Sequence, residues 1–150
     1  MQKKITTNLA FGFDGEHANG QPYYADTYIA TNEITFGQPV FADTAVGGFN
    51  GAKSGTSGTY LGMAVGPHQH VKMELPSGNR SIKIQAGVEF AVAKRGCWFT
   101  SWAESPSGIA VGSKLNVTAG KYAISSSGTD AVAEVVQLDD EKKRAIIRLI

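Results

Sequence analysis

The sequence predicts an all-β protein, a single-domain antiparallel β-sandwich or barrel of jelly-roll-like type with an extended N-terminal arm. Three observations point there. Glycine-containing turn pairs recur along the chain, many at the spacing of about 8–12 residues that separates strands in sandwiches and barrels. They include Asp14-Gly15, Gly47-Gly48, Ser77-Gly78, Arg95-Gly96, Ala119-Gly120 and Ser127-Gly128. The segments between them are short and rich in β-branched and aromatic residues, which suit a pleated, half-buried surface. No ten-residue window carries a helical apolar stripe.

The strands follow in order. They are expected at Thr35–Ala42, Thr59–Val65, Arg80–Gln85, Val88–Lys94, Cys97–Trp102, Lys114–Thr118, Lys121–Ile124, Ala131–Leu138 and Arg144–Ile150. Val88, Phe90 and Val92 alternate with Glu89, Ala91 and Ala93, a period of two. Val132, Val136 and Leu138 share one face of their strand. The last segment is apolar on both faces except at Arg148, so it belongs inside a sheet or against another subunit. The charge run Asp139–Arg144 changes sign halfway and reads as a solvated turn between two strands. Core candidates are Val40, Leu61, Met63, Ile84, Phe90, Val92, Phe99, Leu115, Val117, Val136 and Ile147.

Two regions lack this regularity. Residues 1–31 are expected to form the arm, and 32–150 the β-domain. The arm holds Phe11, Phe13, Tyr23, Tyr24 and Tyr28 among polar and small residues with no period. Rings so placed are expected to stay loose in the free protein and to order on a partner surface. Residues 43–58 are rich in Gly, Ser, Thr and Ala around Phe49 and read as a mobile loop.

Composition narrows the function. The 150 residues suit one domain with a sizeable core. Charged residues make up 18%, and 18 Gly, 11 Ser and 11 Thr take up the shortfall. The net charge is +1, without the basic field that non-specific nucleic-acid binding needs. Residues 1–75 carry −2 and residues 76–150 carry +3, so neither half has that field. No apolar run approaches the roughly 18 residues of a membrane span. The first ten residues have two lysines but no apolar run after them, so no signal peptide is expected. Cys97 is the sole cysteine, which excludes an intrachain disulfide and fits synthesis in a reducing cytoplasm.

Catalytic equipment is sparse. The stretch from Gly47 to Ser54 misses the phosphate-loop pattern, because Ala52 stands where a glycine must precede Lys53, and no helical pattern follows. His68 and His70 could share a strand face with Glu74 as metal ligands. The preceding Gly66-Pro67 favours exposed loop histidines instead, and no metal or cofactor is expected. Arg95 could lower the pKa of Cys97, but alternation with Phe99 favours a small buried residue. Trp98 and Trp102 could form a sugar platform, and core or subunit packing is the stronger reading. No nucleophile elbow and no paired carboxylates are recognisable.

Several segments resemble the capsid cement, or head decoration, proteins of tailed bacteriophages. Asn32-Glu-Ile-Thr-Phe-Gly-Gln-Pro-Val40 is similar to that family's strand entry. Tyr60-Leu-Gly-Met-Ala-Val65 resembles one of its strands, Val88-Glu-Phe-Ala-Val-Ala-Lys-Arg-Gly96 a strand pair, and Ile109-Ala-Val-Gly-Ser-Lys-Leu-Asn-Val117 with Gly120 a further strand element. Ala131-Val-Ala-Glu-Val-Val and Arg144–Ile150 resemble its closing hairpin. The resemblance covers residues 32–150, and residues 1–31 only loosely. It implies a non-catalytic virion protein on the capsid exterior that bridges adjacent major capsid proteins. It also implies small oligomers, read here as a dimer or trimer, with no nucleic acid and no membrane as partner. The alternative is another virion-associated or carbohydrate-binding β module, such as a tail component or adhesin. The expected contact residues are Phe11, Phe13, Tyr23, Tyr24, Tyr28 and Phe49.

Overall fold

A computed structural model describes residues 14–18, 22–66 and 82–150. Phe11, Phe13, His68, His70 and Glu74 lie outside the described residues. Among the described residues eleven strands follow one another: β1 (Tyr24–Ala30), β2 (Ile34–Thr35), β3 (Pro39–Val46), β4 (Phe49–Lys53), β5 (Tyr60–Val65), β6 (Lys83–Ile84), β7 (Glu89–Ser101), β8 (Lys114–Thr118), β9 (Lys121–Ile124), β10 (Ala133–Leu138) and β11 (Arg144–Leu149). The all-β, barrel-like fold class read from the sequence is the one observed.

The strands run in the order β1-β4-β3-β5-β7-β11-β10-β8-β9, with an added β1–β7 pairing. That pairing closes β1, β4, β3, β5 and the first half of β7 into a five-stranded barrel. All its pairings are antiparallel except β1 with β4. The second half of β7 leaves the barrel and pairs with β11, which carries β10, β8 and β9 as an open sheet. Closure removes sheet edges from the barrel.

A five-stranded barrel has little interior room, and small residues fill it. Ala30, Ala52 and Ala64 pack there with Val40, Phe90 and Val92, and Ile34, Phe36 and Ile82 complete the cluster. A larger core lies between the barrel wall and the open sheet. Met63, Val65 and Ala93 meet Trp98, Leu115, Tyr122, Ala133, Val135, Ala145, Ile147 and Leu149.

β7 serves both cores by alternation, Phe90 and Val92 in the barrel and Ala91 and Ala93 in the central core, and it also contains an irregularity. Tyr24 pairs with Arg95 but Ala25 pairs with Ala93, so Lys94 is an extra residue, a β-bulge. The bulge exchanges the faces: Ala91 and Ala93 point to the central core before it, and Trp98 after it. Gly96 follows with φ 110°, and a Cβ there would come within 2.6 Å of the Tyr23 Cβ. The turn expected at Arg95-Gly96 is therefore a bend within one 13-residue strand, not a break between two.

Other expectations are corrected. Residues 24–30 are a barrel strand, although the sequence showed no period there. Residues 14–18 also join the fold. Gly15 and Ala18 donate backbone hydrogen bonds to the carbonyls of Phe99 and Cys97, and His17 bridges Trp98. These stretches hydrogen-bond to the chain's own strands, while the Tyr23 and Tyr24 side chains remain exposed. Residues 49–53, read as mobile loop, form β4. The strand expected from Thr35 is interrupted by a turn at Phe36-Gly37, and β3 starts at Pro39, where a missing N–H costs no ladder bond. Another bulge, between Val135 and Gln137, turns Val135 rather than Val136 into the central core.

β11 lies between β7 and β10, the first of the two placements its composition allows. Ala145, Ile147 and Leu149 enter the central core, while Ile146 packs with Ala18, Cys97 and Phe99 on the opposite face. Its apolar character is accounted for without a second subunit. The Asp139–Arg144 segment is a turn, with the Asp139 carboxylate accepting from the backbone N–H of Lys143 (2.9 Å) and Arg144 (3.1 Å).

Candidate functional site

Chain direction gathers one set of side chains at one end of the barrel. β1, β4 and β5 begin at that end, β3 finishes there, and the barrel half of β7 leaves it at Arg95. Four large apolar side chains stand exposed at this end: Tyr23 (52%), Tyr24 (57%), Val46 (41%) and Phe49 (59%).

The β3–β4 hairpin projects from it as a finger. Residues 42–50 are exposed throughout, whereas Pro39, Val40 and Phe41 at its root are buried. Gly47 (φ 58°) and Gly48 (φ 86°) form a two-residue turn with positive φ at both positions, the type I′ hairpin turn. The turn sets Val46 directly opposite Phe49. At the root, the Thr31 hydroxyl donates to the Asp43 carboxylate (2.5 Å) and holds its pKa below the usual range. Asn32 and Ser54 exchange side-chain and backbone hydrogen bonds of 2.9 and 3.0 Å, which tie the end of β4 to the loop after β1.

Tyr23 is anchored on one side while open on the other. Its ring lies 4.6 Å from that of His17 and 5.3 Å from that of Trp98. Such tilted and edge-on contacts between rings stabilise beyond area burial alone. The Tyr24 phenol is pushed up in pKa by its hydrogen bond with Asp26 and by that carboxylate's charge.

Of the contact residues expected from the sequence, the structure brings Tyr23, Tyr24 and Phe49 to this one end. Tyr28 goes elsewhere: its ring packs against the barrel core, with the Lys94 ammonium 5.1 Å from the ring centroid. Lys94 also donates to the Leu61 carbonyl (2.7 Å) and to the Tyr28 hydroxyl (3.3 Å). Val46 was missed. Its signal was Val46-Gly-Gly-Phe49, two glycines between apolar residues, which is a hairpin signature as much as a loop one.

The chemistry considered from sequence finds other roles. Burial pushes the Cys97 thiol up in pKa, and the opposing charge is that of Arg148 rather than Arg95. A thiol so held is a packing residue rather than a nucleophile. Trp98 is buried in the central core and its indole N–H donates to the Arg95 carbonyl, so it presents no stacking face. The Trp102 indole donates to the Tyr122 carbonyl at 2.8 Å. Trp102 also lines a cleft of about 700 Å³ with Asp14, Gln38, Lys83, Glu104 and Lys121. Buried Asp14 accepts there from the Ser101 hydroxyl. The would-be phosphate loop is the finger itself. Among the described residues no group of three or more His, Cys, Asp or Glu could hold a metal ion.

A chain in the solved structure "The capsid of Myoviridae Phage XM1" shares the fold. It superposes with a TM-score of 0.59 at 12% identity, covering 99% of this chain and 96% of that one. No curated protein matches the sequence. The family described as Structural cement protein (E217 gp24/Pam3 gp6) matches residues 1–150, so the chain belongs to the structural cement proteins of bacteriophages.

Proposed function

We propose that this cement protein binds the outer surface of a phage capsid and bridges adjacent major capsid proteins, acting without catalysis. The observation that carries the reading is the barrel end, toward which Tyr23, Tyr24, Val46 and Phe49 lie exposed, in a chain of a structural cement family. Exposed apolar side chains gathered toward one end of a fold are candidates for an interaction surface. Tyr and Phe suit such contacts, since they bring large area at low cost in rotamer entropy. The near-neutral net charge gives no attraction to packaged nucleic acid. A protein that binds only the assembled shell stabilises it by mass action, and many copies on one lattice add their contacts. On the lattice, like copies also meet as dimers or trimers.

The test is to add purified protein to undecorated shells of its phage. Density maps are expected to show it on the exterior, spanning neighbouring capsid subunits, and decorated shells are expected to dissociate at higher temperature. Copies on the inner face, each touching a single subunit, or no gain in shell stability would overturn the reading.

A further inference from the structure

The finger has the features of a built element rather than a loop. Its turn is preset by Gly47 and Gly48, and its strands have a bulge between Asp43 and Val46. Gly51 is required by that bulge, because the Thr44 carbonyl oxygen would lie 2.0 Å from a Cβ at position 51. Asp43 is its one charged residue from Ala42 to Asn50, and that charge is engaged at the root by Thr31.

How such a finger recognises a partner follows from its edges. A flat hairpin edge would accept a further strand, but bulges and edge charges are the devices that prevent it. Here the bulge and Asp43 both sit on the free stretch of β3. Contact is therefore made by the side chains at the tip. Val46 and Phe49 form an uncharged apolar pair side by side.

Size selects the occupant. A buried aromatic side chain covers roughly 150–250 Å², and a stable protein interface needs on the order of 1,200 Å² or more. Two tip residues cannot hold a second copy in solution. They can contribute where the partner is already arrayed and other contacts act in parallel, as on a shell lattice.

We propose that the β3–β4 finger is a rigid anchor that seats the Val46–Phe49 pair in an apolar socket of a capsid shell subunit. This rests on the capsid-binding reading above and adds the element, the residues and the chemistry of the socket. Because the pair is uncharged, its contribution is not screened by salt.

Two measurements test this. The first compares shell binding of the wild type with that of the Val46→Ser/Phe49→Ser double variant. The double variant is expected to bind at least tenfold more weakly, by the same factor at low and high salt, with an unchanged melting temperature of the free protein. Val111→Ser, exposed away from the finger, is expected to bind like the wild type. The second uses Phe49→Cys carrying a polarity-sensitive dye, a selective label because the one native cysteine is buried. Its emission is expected to shift blue on adding shells and not on concentrating the protein alone. If the wild type decorates shells and the double variant does so equally well, the anchor fails and the capsid-binding reading stands. A dye that stays in a water-like environment on decorated shells, or that shifts without shells because a second copy fills the role, also overturns the anchor. If the wild type does not decorate shells, both readings fall.

Discussion

The two halves of β7 solve the same problem in opposite ways. Glu89–Arg95 has both edges paired, with β1 on one side and β5 on the other, inside a ring so tight that alanines line it. Gly96–Ser101 pairs with β11 in an open sheet, takes residues 15–18 on its other edge, and contributes one of the largest side chains, Trp98, to the core. A ring protects its edges by closure and leaves room for few large side chains, so alanines pack beside Phe90. An open sheet has room for large ones, and its first edge is covered by an added segment. One strand manages both because a single bulge at Lys94 exchanges its faces.

The sharpest way to break the comparison is to remove a large side chain from each half. Phe90→Ala in the ring and Trp98→Ala in the open sheet are each expected to cost about 3–5 kcal/mol, since each leaves a cavity where a buried ring stood. If the shared strand makes one cooperative unit, each variant melts in a single transition, lowered as a whole. Two separated transitions in calorimetry would show that ring and sheet unfold independently.

The joint itself comes next. Gly96→Ala places a side chain at φ 110° and brings its Cβ within 2.6 Å of Tyr23. The expected loss is about 1–3 kcal/mol, the usual cost of a residue held in a sparsely populated backbone region. Wild-type stability in this variant, measured by urea titration, would mean that the bend is not a required part of the strand.

The smallest effect concerns the seam between barrel and open sheet. Tyr60, from β5, and Tyr122, from β9, meet hydroxyl to hydroxyl at 3.0 Å. Burial pushes the Tyr60 phenol up to about 12 and holds Tyr122 higher as well. Above the ordinary phenol pKa of about 10 the unfolded chain releases protons that the folded one keeps, so stability falls as pH rises. The contribution is complete below pH 10 and is lost as pH rises through 12. Tyr60→Phe is expected to cost about 1 kcal/mol at neutral pH, the net worth of one hydrogen bond. It is also expected to flatten the alkaline limb of a stability-against-pH curve. An unchanged limb would place the titration elsewhere.

Much of this fold was legible in the sequence where large residues alternate. Lys114–Thr118 and Lys121–Ile124 show their period because Leu115, Val117, Tyr122 and Ile124 share the face that meets the central core, and Val88 to Ala93 shows it because Phe90 and Val92 alternate with alanines. β1 and β4 were illegible for a physical reason. Tyr24-Ala-Asp-Thr-Tyr-Ile-Ala30 and Phe49-Asn-Gly-Ala-Lys53 place Ala30 and Ala52 toward a narrow barrel, so Tyr28 is the one large ring they contribute to it and no apolar alternation shows. The candidate site was half legible. The aromatic rings of Tyr23, Tyr24 and Phe49 drew attention by composition alone. Val46 did not, because its importance depends on facing Phe49 across a turn.

Local chemistry determined the turns, the absence of helical periodicity, the near-neutral charge and the buried character of Cys97. These depend on residues close in sequence: φ preferences at glycine, alternation along a strand, and the lack of a second cysteine. Only the tertiary structure decided that β1 closes a ring on β7 and that a bulge at Lys94 exchanges the faces. It alone decided that Tyr28 packs on the barrel core while Tyr23, Tyr24, Val46 and Phe49 lie exposed toward one end. Those outcomes depend on strand register between segments as far apart as Tyr24 and Arg95, where a one-residue shift moves every side chain to the opposite face.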